Sequence, residues 1–75
     1  MVKVIFEVSN NGDTVEVYMP FVPIIGHTVS LTPNVLSDDY GEDPDFLVKD
    51  VLYFINGRRE FKYVRVGIEW VDPYA

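Results

Sequence analysis

The chain has 75 residues and no cysteine, which makes it one small domain that folds without disulfides. Its net charge of −6, from twelve acidic and six basic residues, repels nucleic acid and disfavours a phosphate-binding role. A domain this small buries only about 60–65% of the surface its unfolded chain exposes, so its stability has to come from packing or self-association; a composition 48% hydrophobic and 15% aromatic supplies the material.

The opening residues Met1 to Glu7 lack the charged start and long apolar run of a secretory signal. The longest apolar run, Met19 to Ile25, is interrupted by Pro20 and Pro23 and falls far short of the ~20 residues of a membrane span. With no cysteine to suggest an oxidising compartment, these features predict a cytoplasmic protein with no membrane partner.

Val2, Val4, Phe6 and Val8 alternate with Lys3, Ile5 and Glu7, a period of two that predicts a strand over 2–8. Ser9-Asn10-Asn11-Gly12-Asp13 is dense in turn formers. Thr14–Met19 alternates again, with Val15, Val17 and Met19 sharing a face, and closes a β-hairpin with the first run. In Pro20-Phe21-Val22-Pro23-Ile24-Ile25-Gly26 the prolines fix φ and remove donors, so this segment is an extended apolar crossing that ends in a turn at Gly26. His27–Thr32 is a short strand with Val29 and Leu31 inward. Thr32 and Pro33 suit the start of one helical turn, and an acidic loop then runs to Asp45.

Phe46–Ile55 is a strand whose alternation slips near Lys49-Asp50; one extra residue there, a β-bulge, would keep Val51, Tyr53 and Ile55 on the face of Phe46 and Val48. Asn56-Gly57 signals a hairpin. Arg59–Val71 is the last strand, with Val64, Val66, Ile68 and Trp70 on one face and Gly67 marking a bend or a close backbone approach. The fold expected is all-β: five antiparallel strands in a partly closed, SH3-like small barrel, which limits exposed edges. Phe6, Val17, Val29, Val51, Val66 and Trp70 are the core residues expected to be buried.

The segment Pro20-Phe21-Val22-Pro23-Ile24-Ile25-Gly26-His27, followed by Phe46-Leu47-Val48-Lys49-Asp50-Val51 and a closing Asn-Gly hairpin, resembles small uncharacterised β-barrel proteins of phages and prophages. In those a Pro-Phe-x-Pro-x-x-Gly-Asp segment precedes a short strand; this chain has His27 where that pattern has Asp. The resemblance implies a fold and a genomic setting, a phage or mobile element in a bacterial host, and no reaction.

Four groups of residues are candidate sites. Asp38, Asp39, Tyr40, Glu42 and Asp43, with Asp45 close behind, concentrate five of the twelve acidic residues in eight positions. Oxygen ligands at that density suit calcium, but the spacing of a calcium loop is missing and Pro44 stiffens the segment. A solvated loop or a recognition surface fits better, with Tyr40 as the anchor. His27, the only histidine, lacks the nucleophile and oxyanion context of a triad. Phe21–Ile25 is either a crossing strap that caps one end of the barrel or an exposed groove or self-association surface. Arg58, Arg59 and Lys62, with Arg65 nearby, are too few for a nucleic-acid site.

No cofactor and no catalytic constellation is expected. The function these features predict is a non-enzymatic protein-interaction module whose partner offers a basic surface. Two alternatives stand beside it. One is an acidic inhibitor that occupies a nucleic-acid-binding site of a host protein; the other is a structural or assembly protein, a homo-oligomer that self-associates through an edge strand.

Overall fold

A computed structural model describes residues 1–9, 12–31 and 44–71. They form five strands, β1 (Val2–Val8), β2 (Thr14–Met19), β3 (Thr28–Ser30), β4 (Asp45–Ile55) and β5 (Phe61–Trp70). The strands make one sheet in the order β2-β1-β5-β4-β3, curled into a half-barrel. No helix occurs among the described residues, and so none that is long and apolar enough to cross a membrane. The helical turn expected at Thr32–Leu36 lies outside the described residues.

The alternation in each strand determines which side is buried. Val4, Phe6 and Val8 of β1, Phe46 and Val48 of β4, and Val64, Val66 and Ile68 of β5 are all at 1% exposure or less. Val2, Val15, Val17, Met19, Val22, Val29, Val51 and Trp70 pack around them, half-buried. Of the six residues expected in the core, Phe6 and Val66 are therefore fully buried, while Val17, Val29, Val51 and Trp70 face it but keep some exposure. Their positions give the reason. Val17 lies on β2 and Val29 on β3, the two edge strands; Val51 lies on the part of β4 that β3 does not cover, since β3 pairs only with 45–47, and Trp70 lies past Ile68, where the pairing of β5 with β1 ends.

Three of the four strand pairings are antiparallel, as expected, but β1 and β5 run parallel in the centre of the sheet. Val4 lies beside Val64, Phe6 beside Val66 and Val8 beside Ile68, and the N–H of Ser9 extends the ladder to the Ile68 carbonyl at 2.8 Å. Each half of the chain is thus a hairpin with its apolar inner strand at the middle. β2 ends beside the start of β1, and the long connection carries the chain to the opposite end of the sheet, where β4 begins, so β4 runs in the direction of β2 and β5 returns in the direction of β1.

The slip in β4 is a β-bulge. Val48 pairs with Ile68 and Asp50 with Gly67, and Lys49 is the extra residue. The Gly67 N–H, which faces the bulge, donates to Asp50 Oδ1 at 3.1 Å. A Cβ on residue 67 would collide with that carboxylate, so any larger residue there would make the exposed Asp50 side chain swing aside.

The β4–β5 turn sits where Asn56-Gly57 places it, but its geometry differs from a tight two-residue turn. The left-handed residue is Arg59, at φ 63°; Gly57 is not left-handed. Arg59 N–H donates to the Asn56 carbonyl and Asn56 N–H to the Glu60 carbonyl, both at 3.0 Å. This is the three-residue loop in which a turn is followed by one left-handed position. Asn56 shapes it with its side chain: Oδ1 accepts from the N–H groups of Arg58 and Glu60, each at 2.9 Å. An Asn that bonds forward along its own backbone favours this longer loop.

Candidate functional site

Pro20 and Pro23 keep the segment after β2 out of the sheet, and it crosses the open side of the half-barrel as a strap. Pro23 is buried and Val22 half-buried against the core. Its far end is tied to β4: Gly26 N–H donates to the Val48 carbonyl and Val48 N–H to the His27 carbonyl, both at 2.9 Å. His27 N–H closes a turn on the Ile24 carbonyl at 3.0 Å, and Gly26, with φ 93°, occupies the third turn position, where positive φ calls for glycine. With Val22 and Pro23 turned in, Phe21, Ile24 and Ile25 turn out, 66%, 61% and 59% exposed. Three large apolar side chains on a proline-stiffened segment, anchored at both ends, form a preorganised apolar surface.

The convex face of the sheet is different. A row runs across it from Tyr18 on β2 through Lys3 and Tyr63 to Phe54 on β4. Phe54 and Tyr63 stack with centroids 4.4 Å apart; the Lys3 ammonium stands 5.9 Å from the Tyr63 ring and the Arg65 guanidinium 5.7 Å from the Phe54 ring. Each base also has an acid partner: Lys3 with Glu16 at 3.1 Å, Arg65 with Glu7 at 3.9 Å and Lys49 with Glu69 at 3.4 Å. Glu16, hydrogen-bonded to Lys3, holds its ammonium above the usual pKa. With its charges matched, this face presents no basic field to a polyanion. The Phe54–Tyr63 stack was legible in principle from two aromatics on opposite strands of a hairpin, once the bulge is counted.

The acidic residues Asp38, Asp39, Tyr40, Glu42 and Asp43 named from the sequence lie outside the described residues. What is described is the frame they hang from: Leu31 N–H donates to the Pro44 carbonyl at 3.2 Å, and both residues are buried. The segment 32–43 therefore leaves and re-enters the fold at one place, next to Ser30 and Asp45, which pair across β3 and β4.

His27 is exposed, with its backbone engaged as above. Among the described residues no three His, Cys, Asp or Glu side chains converge as metal ligands would. Arg58, Arg59 and Lys62 are exposed at the hairpin end, whereas Arg65 belongs to the ion-paired convex face. Trp70 faces the core, away from the Tyr18, Tyr63 and Phe54 row of the convex face.

One feature was not anticipated. Val51-Leu52-Tyr53-Phe54-Ile55 has no charged residue, and Leu52, Tyr53 and Ile55 are 47%, 56% and 63% exposed. The loss of polar alternation over five residues was the available signal. Compared with protein-family models, with curated proteins and with solved structures, the chain matches none.

Proposed function

We propose that the chain is a non-enzymatic protein-interaction module that engages its partner through the strap. The observation that carries this reading is the outward set of Phe21, Ile24 and Ile25 on a segment fixed by buried Pro23. Large apolar groups held rigidly in solvent lose little conformational entropy when a partner covers them, and such anchors dominate interface energies. The partner has an apolar centre within a basic surface, because the chain around the strap carries a net charge of −6 and opposite charge speeds encounter. In this reading Asp38, Asp39, Glu42 and Asp43 supply the encounter charge and Tyr40 a second anchor. The chain acts in the cytoplasm of a bacterial host as a product of a phage or mobile element, as its strap motif implies. The acidic balance also favours a second reading, in which the basic surface is the nucleic-acid site of a host protein and the chain inhibits it.

Affinity capture from a bacterial lysate with the intact protein, followed by binding kinetics on the captured partner, tests this. Phe21→Ser with Ile24→Ser and Ile25→Ser is expected to weaken binding at least tenfold, mainly through faster dissociation, with an unchanged β-type circular dichroism spectrum. Neutralising Asp38, Asp39, Glu42 and Asp43 is expected to slow association and flatten its dependence on salt. Unchanged binding by the folded strap variant contradicts the strap as the site.

A further inference from the structure

The apolar run of β4 lies on a sheet edge, and the phase of the hydrogen bonds shows what that edge offers. Val48 directs its N–H and C=O toward β3, to His27 and Gly26. Asn56 directs its N–H the other way, to Glu60 at the base of the β5 hairpin. With the extra residue at Lys49 between them, alternation turns the backbone groups of Val51, Tyr53 and Ile55 away from β5. Among the described residues β3 pairs only with 45–47, and no strand adjoins 51–55. A run of free N–H and C=O groups with apolar side chains is the kind of edge that proteins ordinarily guard with charge, proline or brevity. The other two edges carry such guards: β2 presents Glu16 and ends at Pro20, and β3 is three residues long.

The geometry points to a second copy of this chain as the occupant: two β4 edges pair antiparallel about a two-fold axis at Tyr53, joining two sheets into one. The sequence of the edge fits itself in that register. Tyr53 opposes Tyr53 of the partner copy and Val51 opposes Ile55, so the three residues with free backbone groups all fall at hydrogen-bonded pairs, making about six new bonds. Between them, on the other face, Leu52 opposes Phe54, and every cross-strand pair is apolar on apolar. A shift by one residue would put free groups opposite engaged ones. The charges select the direction. Antiparallel pairing brings the Arg58–Arg59 tip of each copy toward the Asp50 end of the other, whereas parallel pairing sets two basic tips side by side. The lane beside β4 is closed at one end by Gly26, bonded to Val48, which leaves room for a short strand of this length. An isologous contact of this kind closes on itself and does not propagate. It uses a different surface from the strap, so the dimer and the partner-binding reading stand or fall separately.

Sedimentation velocity on the intact protein over a wide concentration range tests this. The mass is expected to rise from 8.6 kDa to twice that value. Tyr53→Lys with Ile55→Lys, at two exposed positions, is expected to hold the protein at the monomer mass with an unchanged β-type spectrum. Because the chain has no cysteine, Tyr53→Cys reports the register: Cα atoms of an opposed hydrogen-bonded pair lie about 5.5 Å apart, within disulfide reach. Mild oxidation is expected to link this variant into dimers, and to leave Glu16→Cys on the β2 edge unlinked. A monomer at every concentration overturns the proposal. So does a dimer that survives the double lysine variant, or one linked through Glu16→Cys and not through Tyr53→Cys.

Discussion

Phe6→Ala and Phe46→Ala are each expected to remove about 3–5 kcal/mol of stability. Both side chains are at 1% exposure or less, and they sit on β1 and β4, flanking β5 from opposite sides. At about 0.05–0.15 kcal/mol per residue, a domain of 75 residues has roughly 4–11 kcal/mol in total, so either truncation leaves the chain unfolded or close to it. With no disulfide, no covalent crosslink holds the fold together once the layer is breached. Phe6→Leu, which keeps most of the volume, is expected to cost less than about 1.5 kcal/mol. Val17→Ala, on a half-buried edge strand, is expected to cost less than Phe6→Ala by several-fold. Urea denaturation checks all four; a midpoint unchanged by Phe6→Ala would mean that β1 does not face the core.

Gly67→Ala is expected to destabilise by about 0.5–1.5 kcal/mol, through one added methyl group at a half-buried site. The added Cβ occupies the position of the Asp50 carboxylate, which has to swing away and release the Gly67 N–H it accepts. A hydrogen bond to a charged group is worth about 1.5–3 kcal/mol where it is protected, and less here because Asp50 is exposed. The shift is readable, since 1 kcal/mol moves the melting temperature of a domain this size by about 4–8 °C. The mechanism is separable by a double-mutant cycle. Asp50→Ala loses the same bond, and in that background Gly67→Ala meets no obstacle, so its cost falls to zero or becomes a small gain through a less flexible unfolded chain. Additive costs would show that the bulge carboxylate and the glycine act independently.

Much of this architecture was legible because alternation is a local record of which side is buried. Val2, Val4, Phe6 and Val8 are legible as one face without knowledge of any partner strand, and the broken alternation at Lys49-Asp50 marked the bulge before any pairing was known. Gly67 announced a close approach, and the approaching group proved to be Asp50, across the bulge. The direction of the β1–β5 pairing was not legible, because a strand buried on one face shows the same alternation whether its neighbour runs parallel or antiparallel. The turn at Asn56 was legible in place and not in geometry: Asn-Gly suits a tight turn, but the Asn side chain bonds forward to Arg58 and Glu60 and moves the left-handed position to Arg59. For the candidate site, sequence reasoning weighted the acidic residues Asp38 to Asp43 because charge density is visible in one dimension. The strap and the 51–55 edge depend on which apolar groups the fold leaves uncovered, and exposure is a property of the assembled sheet.

The strap, the bulge and the free β4 edge all depend on one arrangement: two hairpins joined through a parallel β1–β5 pair into a single curled sheet. Inter-strand nuclear Overhauser contacts between backbone protons of β1 and β5 test it most directly. The expected pattern connects Val4 with Val64, Phe6 with Val66 and Val8 with Ile68, advancing together along both strands. Contacts that run in the opposite sense, Val4 toward Ile68 and Val8 toward Val64, would contradict the arrangement, as would the absence of any ladder between the two strands.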